Sequence, residues 1–213
     1  INYYKIPLVD LEIREAEQTE AILSIDFGTS NTTAGTYLDY GYIHQHDSND
    51  LLNGGVKLDA IYEVRFMDHT KKVKKWIPML PSVVSVVDCS DNSNIIYHFG
   101  YAAQKDAQIK YYDESFSIFY EIKRWVNSYE SRQEINDKAG NTAFVKRGDI
   151  VREYLLYVIH CAEQRFKCKF KHLHLTSPVK MKRLYNLMFK DLLPEYEIDT
   201  QHMLDEGTAV IYN

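Results

Sequence analysis

The spacing of apolar and polar positions divides the chain into two halves of different character. In the second half, Ile150, Val151, Tyr154, Leu155, Val158, Ile159, Ala162 and Phe166 recur at spacings of three and four. This predicts an amphipathic helix, and Asp149 stands where an N-cap is expected. A strand is expected over residues 172–177, stopped by Pro178, and then a helix carrying Met181, Leu184, Leu187, Met188 and Leu192. Residues 198–204 read as extended, and Asp205-Glu206-Gly207-Thr208-Ala209 opens a last helix. The first half is strand-rich. Residues 21–27 and 32–38 form the arms of an opening hairpin, with further strands at 61–67, 73–77, 81–87 and 95–99. Helices are expected at 99–107 and 116–126, and residues 129–147 read as short strand pieces around a turn at 137–141. Residues 1–20 read as an acidic leader, as an edge strand or a short helix, and 39–59 as a polar loop. This order predicts an α/β chain, a mixed β-sheet flanked by helices with at least one parallel crossover.

Candidate chemistry concentrates at the tip of the opening hairpin. The run Ile22-Leu23-Ser24-Ile25 leads into Asp26, followed by the small, hydroxyl-rich turn Gly28-Thr29-Ser30-Asn31. A carboxylate ending a buried strand is costly without a cation or donors, so Asp26 is a candidate for holding hydrated Mg²⁺. Gly28 would let the backbone approach an anion, and the amides and hydroxyls of Thr29, Ser30 and Asn31 would wrap a phosphate. The competing reading is a tight hairpin whose turn residues serve geometry alone.

The 213 residues, 45% apolar and 26% charged, suit one large domain or two small lobes. A net charge of −5 gives no basic excess to suggest nucleic acid. Lys71, Lys72, Lys74 and Lys75 read as an exposed hairpin face. No stretch approaches the roughly 20 apolar residues that cross a bilayer, and the acidic start is unlike a secretory leader. A cytoplasmic protein without nucleic-acid or membrane partners is expected, either trimmed or part of a longer chain, since it begins at Ile1. Cys89, Cys161 and Cys168 lack metal or disulfide spacing and read as packing or free thiols of a reducing compartment. The pairs His44/His46 and His172/His174 would each share one strand face, yet no nearby Cys or carboxylate completes a credible metal site.

Seven short signatures follow one another along the chain. They are Ile25-Asp26-Phe27-Gly28-Thr29-Ser30-Asn31-Thr32, Leu80-Pro81-Ser82-Val83-Val84, Phe99-Gly100-Tyr101-Ala102-Ala103, Ile122-Lys123-Arg124, the helix from Val151 to Ala162, His174-Leu175-Thr176-Ser177-Pro178, and Asp205-Glu206-Gly207-Thr208-Ala209. In this order the series resembles the ATPase domain of the seventy-kilodalton heat-shock (DnaK-like) chaperones, within the actin-like ATPase superfamily. The resemblance implies a ribonuclease-H-like first lobe with its core at 21–38 and 115–213 and a smaller α+β subdomain inserted at about 39–114. It implies ATP or ADP and Mg²⁺ as cofactors. Asp26 would reach the Mg²⁺ through water, and Gly28, Thr29, Ser30 and Asn31 would hold phosphates. Lys123 would steady the γ-phosphate and the attacking water, and Glu206 would orient that water. Client proteins and co-chaperones are the implied partners.

The chain departs from the family at three points. Gly207 follows Glu206 where the family has proline, and regions 38–60 and 68–98 are longer than in the family. The second glycine-rich phosphate loop and the adenine segment would lie beyond Asn213, so a first lobe alone is expected. Gripped from one side in water, a triphosphate gains only ~1 kcal/mol per charge contact. Weak ATP binding and negligible hydrolysis are therefore expected of this piece by itself. Three readings stay open: a chaperone-like ATPase, an actin-like filament or scaffold protein, and a non-catalytic lobe used for protein contacts. Lys123 also reads as a surface lysine paired with Glu121 or Asn127, and Glu206 as a favourable acid in a first helical turn.

Overall fold

The computed structural model describes residues 15–38, 60–68, 70–71, 73–110 and 115–199. Among them the strands are β1 Glu17–Phe27, β2 Asn31–Leu38, β3 Ala60–Glu63, β4 Phe66–Asp68, β5 Lys75–Ile77, β6 Met79–Pro81, β7 Val84–Asp88, β8 Ile96–Phe99, β9 Ile118–Phe119, β10 Arg132–Asn136, β11 Thr142–Lys146, β12 Cys168–Leu175 and β13 Glu197–Ile198. The α-helices are α1 Tyr101–Lys110, α2 Arg147–Phe166 and α3 Lys182–Leu192, with 3₁₀ turns at Ile122–Asn127 and Val179–Met181. The fold is mixed α/β.

The largest sheet runs β13-β12-β1-β2-β3, with β6 also paired to β2. β1 is its hinge of direction. It runs parallel to β12, which is parallel to β13, and antiparallel to β2, which is antiparallel to β3. Leu23, Ile25 and Phe27 alternate along β1 and are fully buried, as are Leu173 and Leu175 of β12. The two-residue strand period sends them to one face, where α2 and α3 cover them. The Phe27 ring lies 5.8 Å from Tyr154 of α2 and 6.5 Å from Phe189 of α3. Ile22, Ser24 and Asp26 take the opposite, exposed face. α2 buries Ile150, Val151, Tyr154, Leu155, Val158, Ile159, Ala162 and Phe166, the set that its periodicity marks.

Local expectation and structure differ where a distant partner intervenes. The helix expected over 116–126 is instead β9 followed by a 3₁₀ turn. Ser117 donates its amide to Asn136 O (2.8 Å) and accepts from Val86 N at its carbonyl (3.0 Å), which draws this segment into sheet contacts. Glu121, in the left-handed region at φ 53°, then separates strand from turn. β1 starts at Glu17, inside the expected leader, because Glu17, Gln18 and Thr19 pair with Cys168, Lys169 and Phe170. Cys168 therefore lies on a strand, and it is buried. Asp149 is not the N-cap but the third helical residue, and its Oδ2 accepts from Lys146 N at 3.0 Å, satisfying an amide at the helix start.

The expected strand over 81–87 splits at Ser82-Val83. β6 joins the main sheet, and β7 joins a second sheet with β8 and β9. The strand expected over 61–67 likewise splits into β3, on β2, and β4, on β5. Both β3 and β6 fall within the segment assigned to an inserted subdomain, yet both hydrogen-bond to β2. Lys71, Lys74 and Lys75 are exposed, as their charge requires. Residues 1–14, 39–59 and 200–213, with His44, His46 and the expected last helix, lie outside the described residues.

The turn at 137–141 is built on one carboxylate. Buried Asp137 accepts from Cys89 N (3.0 Å) and Asn141 Nδ2 (2.8 Å) at Oδ2, and from Ala139 N (2.9 Å) and Asn141 N (3.0 Å) at Oδ1. These donors, the Cys89 amide foremost, hold its carboxyl well below the usual carboxylate range. A carboxylate depressed in this way stabilises the fold above its unfolded pKa of about 3.9, and the contribution is lost as pH falls through the folded value. Thermal unfolding followed by circular dichroism should show that loss on acidification. Asp137→Asn should unfold at lower temperature near neutrality and show a flatter acid limb. An acid limb identical to that of the unmodified protein would refute this role.

Candidate functional site

The carboxyl ends of two parallel strands, β1 and β12, meet at Asp26. The last registered pair is Ile25↔Leu175. One residue further, Thr176 donates its amide to Ile25 O (3.2 Å) and its hydroxyl to Asp26 Oδ1 (2.6 Å). Asp26 itself is exposed. Its Oδ2 meets no partner among the described residues. Ligands of open α/β sheets bind beyond the carboxyl ends of the strands, and that is the edge occupied here.

The hairpin tip, residues 28–31, follows directly. A Cβ at Gly28 would lie 2.2 Å from Asn31 O, so the turn requires glycine because its own backbone closes on that position. This intrachain reason is sufficient for Gly28. The amide N–H groups of Gly28, Thr29 and Ser30 have no acceptor among the described residues, which leaves them available to an anion.

The tip is braced from behind by the start of the second sheet. Ser82, buried at the β6–β7 corner, donates its amide to Ser30 O (2.9 Å) and its hydroxyl to Gly28 O (2.8 Å). With that proton used, the buried Thr32 hydroxyl is the donor to Ser82 Oγ at 3.1 Å. Tyr154, fully buried on α2, donates to Pro81 O (3.2 Å), and burial pushes its phenol far above the usual value. The Leu80-Pro81-Ser82 signature was visible in the sequence, but its bond to the hairpin tip crosses a separation of 54 residues and left no local trace. The same holds for Thr176, which lies in a quoted signature without an assigned role.

Lys123 is only 4% exposed, which removes the surface-lysine reading. Arg124, not Lys123, pairs with Glu121 (3.0 Å). The Lys123 ammonium lies 5.6 Å from the centroid of the Tyr185 ring, and the Tyr185 hydroxyl donates to Lys123 O at 3.0 Å. Tyr185 packs on Phe189 (5.8 Å), and Phe189 packs on Phe27 (6.5 Å), next to Asp26 in the chain. Lys123 is thus tied to the end of β1 through aromatic packing rather than through direct contact with Asp26. Lysines are rarely this buried, and this placement was not visible in its sequence context. Thr29, Ser30 and Asn31 lie with Asp26 at the hairpin. Glu206 falls outside the described residues.

The other candidates resolve differently. His172 is held by Glu20 (3.0 Å) and Glu197 (3.4 Å), two carboxylates that cross-strand register brings together and sequence spacing did not show. No group of three or more His, Cys, Asp or Glu side chains suited to a metal occurs among the described residues. Asp26 nevertheless suits a magnesium held through water. Its carboxylate is a hard oxygen donor with Oδ2 open among the described residues, and Mg²⁺ keeps several waters and takes one or two carboxylates plus substrate phosphates. Among the described residues, no helix is long and apolar enough to cross a membrane. No protein-family model matches the chain, and no curated protein matches its sequence.

The tip makes a direct prediction. Gly28→Ala should lower the free energy of urea unfolding by about 1–3 kcal/mol, the usual cost of forcing extra volume into a packed position. An unchanged midpoint would show that the tip relaxes and that its geometry is not fixed by Ser82.

Proposed function

We propose that this chain is the first lobe of an ATP-binding ATPase of the seventy-kilodalton heat-shock type, with a ribonuclease-H-like core. The observation that carries the reading is the juxtaposition at the end of β1. An exposed carboxylate with one oxygen anchored and one open stands beside a hairpin tip whose three amides, like that oxygen, have no partner among the described residues. The mixed sheet, antiparallel on one side of β1 and parallel on the other, supports the same reading.

In this reading the tip residues Gly28, Thr29, Ser30 and Asn31 bind phosphates, and Asp26 holds hydrated Mg²⁺. Lys123 lies on the γ-phosphate side, and Glu206 orients the attacking water. Phosphoryl transfer needs cations on the developing charge and an aligned nucleophile more than covalent help. A second lobe would close the cleft, and nucleotide state would bias that closure and with it the grip on a client protein. Client proteins, co-chaperones and a cytoplasmic site of action belong to the same proposal.

ATPase assays on the intact protein test it. Lys123→Ala should cut turnover by about 10²–10³-fold, the usual loss when one transition-state donor is removed. Asp26→Ala should abolish the Mg²⁺-dependent part of nucleotide binding. Unchanged turnover in both variants would overturn the assignment.

A further inference from the structure

We infer that Thr176 is a positioning residue that aims Asp26 at the cation, an inference that rests on the Mg-nucleotide reading above. Thr176 follows β12 directly and lies next to Asp26, one step beyond the Ile25↔Leu175 pair. It is 8% exposed. Its amide is fixed on Ile25 O (3.2 Å) and its hydroxyl on Asp26 Oδ1 (2.6 Å). A β-branched side chain is stiff at χ1, so the hydroxyl is held in place before anything binds. The carboxyl torsion of an aspartate is by contrast broad. One hydrogen bond to Oδ1 sets that torsion and leaves Oδ2 on the open side.

The type of donor matters as much as its place. A lysine or arginine in this position would cancel the charge that a divalent cation needs. A threonine hydroxyl orients the carboxylate and leaves its charge intact. Two other carboxylates of the chain show the contrast. Asp137 spends both oxygens on four protein donors. Asp106 takes Ser85 (2.7 Å) and His98 (2.8 Å) on Oδ2 and Lys138 (3.2 Å) on Oδ1. Both are saturated structural groups. Asp26, with a single neutral donor, keeps half of its accepting capacity open among the described residues. Donors that hold a metal-bound carboxylate from behind are a recurrent feature of metal sites.

The test is calorimetric titration of ADP into the intact protein with Mg²⁺ and with EDTA, alongside thermal unfolding. Thr176→Val keeps the shape and deletes the hydroxyl. It should weaken Mg²⁺-dependent binding by roughly 10-fold or more, the usual cost of losing an outer-shell partner, and leave binding in EDTA unchanged. Thr176→Ser restores a hydroxyl and should return affinity to within about 3-fold of the unmodified protein, since one hydrogen bond to a charged group is worth more than that. Thr176→Ala provides a second hydroxyl deletion should the valine variant fail to fold. If Mg²⁺-dependent binding is present in the unmodified protein and lost in Asp26→Asn, yet untouched in Thr176→Val and Thr176→Ala, the positioning role is overturned while the site stands. If the unmodified protein shows no Mg²⁺-dependent binding, the Mg-nucleotide reading itself fails.

Discussion

The parallel ladder between β1 and β12 is the constraint on which the rest of the molecule depends. It joins residues 150 positions apart, as the Thr176–Asp26 bond measures. Closing so long a loop costs little more than closing a shorter one, since each doubling of length adds only about 0.6 kcal/mol. What holds it closed is the apolar face beneath. Leu23, Ile25 and Phe27 of β1 and Leu173 and Leu175 of β12 are fully or almost fully buried under α2 and α3, and each such side chain contributes about 1.5–3 kcal/mol. Without that ladder, Asp26 would end an isolated strand and Thr176 would lie far from it.

Around this ladder, the candidate site is shaped mainly by neutral donors. Ser82, Thr32 and Tyr154 hold the backbone of the hairpin tip through hydroxyl bonds to carbonyls and to one another. None of them places a charge beside the tip, so the field there remains that of Asp26 and of the open amides. Lys123 is held differently, by an aromatic ring under its ammonium and a hydroxyl on its carbonyl. A cation against a ring keeps its charge while its stem is packed. The hairpin tip and Lys123 are thus both fixed in position by packing and neutral hydroxyls.

Structural acids differ from Asp26 on the same principle. Asp137 and Asp106 are enclosed by donors that consume their oxygens, and each ties distant segments together, the first binding the end of β7 to the β10–β11 turn. His172, clamped between Glu20 and Glu197, likewise joins three neighbouring strands at the exposed face. These groups account for their polar residues as structural ties, in contrast to Asp26, whose Oδ2 stays open among the described residues.

Much of this was legible in the residue order. The periodicity of residues 150–166 determined α2 and its buried face, because a helix is written in neighbours three and four apart. The acid at the end of the first strand and the glycine-containing bend behind it marked the hairpin, and the turn at 137–141 announced itself through its small and polar residues. Tertiary structure alone decided the rest. It turned the helical composition of 116–126 into a strand and a 3₁₀ turn, split residues 81–87 between two sheets, moved Asp149 from cap to first turn, and buried Lys123. It also brought Ser82 to Gly28 and Thr176 to Asp26, across 54 and 150 residues. Local preference is recorded in adjacent residues, whereas these outcomes were set by partners that a single sequence places nowhere in particular until the sheet closes.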